Sequence, residues 1–266
     1  GVCERQGYFP IDDDVKTEIY PLIRQAEVVV LATPIFFINM SAQLKALVDR
    51  CQLFWARKYK LKLTDPAKKT KRGFLLAVGA SKGKSLFEGL QLTAKYFFDA
   101  IDARFEGSLT YREIEGPKDM SKHPKVLADV EKAAADLIEP LIGRKKILFA
   151  CRENACRSQM ASAFAQYLAG DKFEVINGGS QPADQINPDM VKAMHEKGID
   201  MAFRVPQRIE SAISNNAPGY IITMGCGEEC PYVHGAQMLD WDLPDPAGKP
   251  LDFMRQVRDE IENRVQ

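Results

Sequence analysis

Ile147-Leu148-Phe149-Ala150-Cys151-Arg152-Glu153-Asn154-Ala155-Cys156-Arg157-Ser158 is the stretch on which the fold and the chemistry of this chain turn. Residues 147–150 have the length and apolar character of a buried strand, and the residues from Ser158 onward carry helical spacing. Between the two stand a cysteine, five residues and then Arg-Ser. At a strand-to-helix junction that spacing makes an anion cradle, because the N–H groups of the loop and of the first helical turn converge on one point. Arg157 can add a two-pronged hydrogen bond to a tetrahedral oxyanion. The same positive field favours the thiolate of Cys151; thiolates at such junctions titrate at about 3.5–7.5, against about 8.5 for a free thiol. The Ser158 hydroxyl can donate to the sulfur, and Asn154 can hold the loop through its side-chain amide. Cys156 lies inside the same loop, where it either closes a protective disulfide with Cys151 or simply packs.

Working outward, 28–31, 73–78 and 220–224 are further short apolar runs, each followed by Gly, Pro or a polar loop and then a helical pattern. Helices are expected near 41–54, 86–101, 124–141, 158–169, 188–197 and 250–264. Strand-helix alternation of this kind predicts an α/β chain of two three-layer α/β/α domains with parallel sheets. The helix that starts at Pro124 stops at Gly143, and Arg144-Lys145-Lys146 leads into a fresh strand. That divides the chain into residues 1–143 and 144–266.

Composition narrows the function. Hydrophobic residues make up 45% and charged residues 27%, with a formal net charge of +0, so the chain can bury a core and has no electrostatic reason to bind nucleic acid or an anionic membrane. The basic stretch Lys68, Lys69, Lys71, Arg72 reads as a solvated loop. No apolar run has the roughly 20 residues that a membrane helix needs, and no signal peptide opens the chain. Of six cysteines, four form two tight pairs, Cys151/Cys156 and Cys226/Cys230. Clustered cysteines in such a chain fit catalysis, redox exchange or metal binding in a reducing cytoplasm better than a secreted disulfide scaffold. For Cys226 and Cys230 three readings stand: redox thiols, a zinc site with His234 that lacks an evident fourth ligand, or a buried structural pair.

Residues 144–266 resemble the low-molecular-weight protein tyrosine phosphatases, and among them the arsenate reductases. The Cys-x5-Arg-Ser loop, the continuation Ser158-Gln159-Met160-Ala161, the segment Thr223-Met224-Gly225-Cys226 and the loop Asp245-Pro246-Ala247-Gly248 carry the likeness. The resemblance implies arsenate as substrate, anion binding by Asn154, Cys156, Arg157 and Ser158, and proton transfer by Asp245, whose backbone Pro246 restricts. It implies a relay in which Cys151 attacks arsenate, Cys226 attacks Cys151 and Cys230 resolves the disulfide, with a thioredoxin-like or other thiol reductant completing the cycle. Ser162 and Gly219 stand where some members place carboxylates around a monovalent cation, so no metal site is expected. The competing expectation is a phosphatase acting on phosphotyrosine or small phosphate esters. Ala247-Gly248 in place of an aromatic pair speaks against a phosphotyrosine ring.

Residues 1–143 resemble the flavodoxin-like NAD(P)H-dependent FMN reductases. Thr33-Pro34-Ile35-Phe36-Phe37, then Ser41-Ala42-Gln43-Leu44-Lys45-Ala46, and Val78-Gly79-Ala80-Ser81 carry that likeness. It implies that Thr33, Pro34, Ile35, Phe36, Phe37 and Gly79 face an FMN; taken alone, Phe36 and Phe37 suit a core equally well. The family's first strand and its Ser/Gly-rich phosphate loop have no counterpart here. FMN is therefore expected to bind only if residues upstream of Gly1 supply them. The half is otherwise a non-catalytic platform, forming a homodimer that covers the apolar edge of the 28–33 strand.

Overall fold

The structure, a computed structural model, describes residues 5, 7–213, 217–224 and 234–266. Cys3, Cys226 and Cys230 lie outside the described residues. The chain divides into two compact units, Gly1–Lys62 with Thr70–Ile142, and Leu63–Lys69 with Gly143–Gln266. Both are α/β units built on parallel sheets.

In the first unit β1 (Val28–Pro34), β2 (Arg72–Val78) and β3 (Arg104–Tyr111) form a sheet of order β1-β2-β3. Helices α1 (Tyr20–Gln25), α2 (Ala42–Arg50), α3 (Gln52–Tyr59), α4 (Glu88–Ala100) and α5 (Val126–Ile138) accompany it. Ser41 starts α2 by accepting the Leu44 N–H on its side chain. Gly73 lets α4 close on the sheet, since a Cβ there would stand 2.2 Å from the Phe98 ring. Among the described residues β1 is an edge strand, and Val30 on it is exposed. The basic stretch departs from its expected solvation: Lys71 is buried, donating to the carbonyls of Ile23 and Arg24, and Arg72 pairs with Glu106. A lysine on the strand flank can lay its stem along apolar surface and spend its three N–H donors on the open carbonyls at the end of α1.

The second unit holds β4 (Lys145–Cys151), β5 (Phe173–Gly179), β6 (Tyr220–Thr223) and β7 (Gln237–Asp240) in the order β5-β4-β6-β7. β4 is central, and its side chains alternate. Leu148 and Ala150 pack with Ile209 and Ile221 on one face, while Phe149 and Cys151 join the larger core on the other. That core is built from α6 (Arg157–Ala169), α7 (Pro188–His195) and α8 (Leu251–Val265). Residues 157–165 of α6 are all buried. One reason is that 63–69 covers this helix, with Lys69 Nζ donating to the Leu168 carbonyl at 2.6 Å. A helix covered on several sides has no solvated face, so the polar side chains of α6, among them Ser158, Gln159 and Ser162, are buried and hydrogen-bonded within the unit. Burying Phe149 and Phe164 alone contributes on the order of 1.5–3 kcal/mol each. Among the described residues no helix is long and apolar enough to cross a membrane.

Candidate active site

Cys151 is the last residue of β4, and α6 begins at Arg157 after a five-residue loop. The loop backbone is fixed from outside. Ser180, Gln181, Ala183 and Asn187 donate their N–H groups to the carbonyls of Cys151, Arg152, Glu153 and Ala155. With its carbonyls turned outward, the loop keeps its N–H groups for the concave side. One of them is seen there: Asn154 N–H donates to Cys151 Sγ at 3.2 Å. Asn154 adopts the left-handed region (φ 50), which asparagine tolerates better than most residues.

The sulfur has a second partner in Ser158 Oγ at 3.0 Å. Ser158 itself accepts from Asn154 Nδ2 at 2.8 Å, so its own proton is available to the sulfur. Two donors thus converge on the Cys151 sulfur. Arg157 is buried; its Nη1 donates to the Leu243 carbonyl at 3.1 Å and its Nη2 pairs with Asp245 at 3.0 Å. Cys151, Glu153, Ala155, Cys156, Arg157 and Asp245 line one small pocket. Cys156 is a free, buried thiol. Burial pushes it up to about 12, Cys151 and Asp245 add to that, and Arg157 opposes it. A thiol so held stays protonated at neutral pH.

Gly179, at the end of β5 and paired with Cys151, was not singled out from sequence. A Cβ there would stand 2.6 Å from the Arg152 carbonyl oxygen and 2.9 Å from Asn154 N, so only glycine admits the loop this close. Gly178-Gly179 at a strand end is the signal that marks such an approach. Also unmarked in the sequence were Asn177, Arg204 and Gln207, which with Gln159 of the motif bond to Asn154 or to one another behind the loop. They are scattered over some fifty positions and share no spacing. The expected relay thiols Cys226 and Cys230 lie outside the described residues. β6 runs parallel to β4 with Thr223 opposite Ala150, and Met224 N–H donates to the Ala150 carbonyl at 2.8 Å.

In the first unit, Thr33 and Pro34 end β1 and Gly79 follows the neighbouring β2, with Ile35 N–H donating to the Val78 carbonyl. A Cβ on Gly79 would meet Ile35 Cγ2 at 2.7 Å. Phe36 and Phe37 are not core aromatics: both are exposed, Phe37 fully, and Phe37 and Ile38 hold positive φ. Two adjacent residues in that region turn the rings out from the sheet edge instead of into it. Among the described residues no strand precedes β1 to carry a phosphate loop.

A buried cysteine at a strand end, two hydrogen-bond donors to its sulfur and a buried guanidinium in the same pocket are the parts of a thiol enzyme's oxyanion site. The chain belongs to the low molecular weight phosphotyrosine protein phosphatase family, which it matches over residues 146–266. Residues 2–102 match NADPH-dependent FMN reductase, so the chain is a fusion of the two. Similar proteins include the glutaredoxin arsenate reductase of Synechocystis sp., 35% identical over 124 residues, covering 46% of this chain and 94% of the relative. An arsenate reductase of Bacillus cereus is 37% identical over 128 residues, covering 46% of this chain and 92% of the relative. Among solved structures, a thioredoxin-dependent arsenate reductase of Corynebacterium glutamicum is 32% identical, covering 54% of this chain and 73% of its own, with a TM-score of 0.40.

Proposed function

We propose that this chain reduces arsenate to arsenite through a thiol relay, with Cys151 as the nucleophile. The supporting observation is the sulfur between Ser158 Oγ and the Asn154 N–H, in the pocket that Arg157 and Asp245 share. The arsenate relatives add to it over nearly their whole length.

The thiolate attacks arsenic, a sulfur–arsenic bond forms and an oxygen leaves as water. Arg157 holds the remaining oxygens, and Asp245 delivers a proton to the leaving oxygen. The thiolate of Cys226 then attacks Cys151 Sγ. A disulfide forms, the sulfur–arsenic electron pair stays on arsenic, and As(V) departs as arsenite. Cys230 attacks Cys226 and restores the Cys151 thiolate. The resulting Cys226–Cys230 disulfide takes two electrons from a thioredoxin-like or other thiol reductant. A reducing cytoplasm suits such a cycle. The N-terminal unit offers another source: FMN, held by Thr33, Pro34, Ile35, Phe36, Phe37 and Gly79, would supply two-electron reduction from NADPH.

The test follows arsenite release by the full chain beside hydrolysis of an aryl phosphate. Cys226→Ser and Cys230→Ser are expected to abolish repeated arsenite turnover and leave the hydrolysis in place. Arsenite release at the unaltered rate in both variants overturns the relay; brisk hydrolysis with no arsenite from the unaltered chain makes it a phosphatase. Running the assay with NADPH and FMN in place of thioredoxin tests the internal supply, which an absence of arsenite removes.

A homodimer through the N-terminal unit belongs to the same reading, supported by β1 standing at the sheet edge among the described residues. Sedimentation is expected to give twice the chain mass, and a monomer at micromolar concentration rejects it.

A further inference from the structure

Behind the anion loop a set of buried side chains is bonded in one direction. Asn154 makes four side-chain hydrogen bonds. Its Oδ1 accepts from Gln207 N–H at 2.9 Å and from Gln159 Nε2 at 3.2 Å. Its Nδ2 donates to Asn177 Oδ1 and to Ser158 Oγ, both at 2.8 Å. A backbone N–H can only donate, so the atom it meets on Asn154 is the oxygen, and the amide faces Ser158. Ser158 therefore accepts from Asn154 and turns its proton to Cys151 Sγ.

The same logic reaches further back. Arg204 has five N–H donors and no acceptor. Its Nε donates to Gln159 Oε1 at 2.9 Å, its Nη1 to Gln166 Oε1 at 2.9 Å and its Nη2 to Ser162 Oγ at 2.7 Å. Because Gln159 must present its oxygen to Arg204, its amide nitrogen is directed at Asn154 Oδ1. On the other branch Ser162 Oγ accepts from Arg204 and from Asn177 Nδ2, and passes its own proton to the Gln159 carbonyl. Asn177 is thereby left with its oxygen toward Asn154 Nδ2. Both branches impose one polarity on Asn154.

We propose that Arg204 is a positioning residue for the nucleophile: its guanidinium orients Gln159 and, with the Gln207 backbone N–H, holds the direction of the donor chain Arg204, Gln159, Asn154, Ser158, Cys151, in which every step donates toward the sulfur. A fixed positive charge at the far end strengthens each donation, since hydrogen bonds in series polarise one another in a low dielectric. Arg204 touches neither substrate nor sulfur. It acts by keeping the Ser158 proton on Cys151, and so rests on the reading of Cys151 as the nucleophile.

The experiment is alkylation of Cys151 by iodoacetamide in the full chain, read by peptide mass spectrometry so that the other cysteines are followed separately. Only the thiolate reacts, so the rate reports its fraction. In Arg204→Met the rate at about pH 6 is expected to fall roughly tenfold, while at about pH 9, above the value of an ordinary thiol, it matches the unaltered chain. Arg204→Lys keeps the charge but reaches fewer acceptors and falls between the two. Gln159→Glu keeps a partner for Arg204 and has no N–H to give Asn154; it is expected to lose the same reactivity at the lower pH, and it serves even if Arg204→Met does not fold. Unaltered rates at both pH values in these variants overturn the proposal. So does an equal loss at both, which marks a collapsed loop and a purely structural arginine. If Cys151 in the unaltered chain alkylates no faster than Cys156 at the lower pH, the nucleophile assignment itself falls, and the donor chain has no thiolate to serve.

Discussion

Arsenite release falls at least about ten-thousandfold in Cys151→Ser, the size of loss seen when a covalent nucleophile is removed. Two effects add. The serine hydroxyl is essentially un-ionised at neutral pH, and the loop presents two hydrogen-bond donors to that position. Even if an oxygen–arsenic ester formed, a thiol attacking the serine oxygen cannot make a disulfide, so the electron pair never reaches arsenic. Binding of the anion should survive, because Arg157 and the loop N–H groups remain. Arsenite assays beside calorimetric titration with arsenate separate the two. Turnover within a hundredfold of the unaltered chain would place the chemistry on another residue.

Arg157→Lys is expected to lower kcat/KM by about a hundredfold to a thousandfold, the range for losing a main oxyanion donor. The substitution keeps the charge and loses the fork. In the structure one guanidinium nitrogen is tied to the Leu243 carbonyl and another faces Asp245 at the pocket rim, so the planar group spans from backbone to cleft while buried. An ammonium group reaches one of those points at a time and leaves the Leu243 carbonyl or the oxyanion without its partner. The KM for arsenate should rise and kcat should fall, because the same bonds serve the bound anion and its adduct. A variant within threefold of the unaltered chain in both would show that the loop N–H groups suffice without the arginine.

Much of this site was legible along the chain because its parts are adjacent. A strand, a cysteine, five residues, Arg-Ser and a helix occupy twelve consecutive positions, and backbone geometry alone converts that order into a concave set of N–H groups. The strands that the reading marked, at 28–31, 73–78, 147–150 and 220–224, are continuous apolar runs. Those it did not mark are β3, which carries Glu106 and Gly107, β5, which ends in Asn177, Gly178 and Gly179, and β7, four exposed residues that are strand only because β6 pairs with them. Their periodicity is diluted by polar and small residues that the tertiary packing requires.

By itself, then, the sequence determined two parallel α/β halves, the cysteine loop and the residues within it, since these depend on local order and on which segments are apolar. Only the tertiary structure decided which residues stand behind the loop. Asn177 comes from β5 and Arg204 and Gln207 from the loop at 200–208, and what unites them with the cysteine loop is the directionality of donors and acceptors behind it. It also decided that Gly179 must lack a side chain, that Phe37 faces outward and that Lys71 is buried. Such facts follow from close approach between distant pieces of chain, which leaves no regular mark in a one-dimensional pattern.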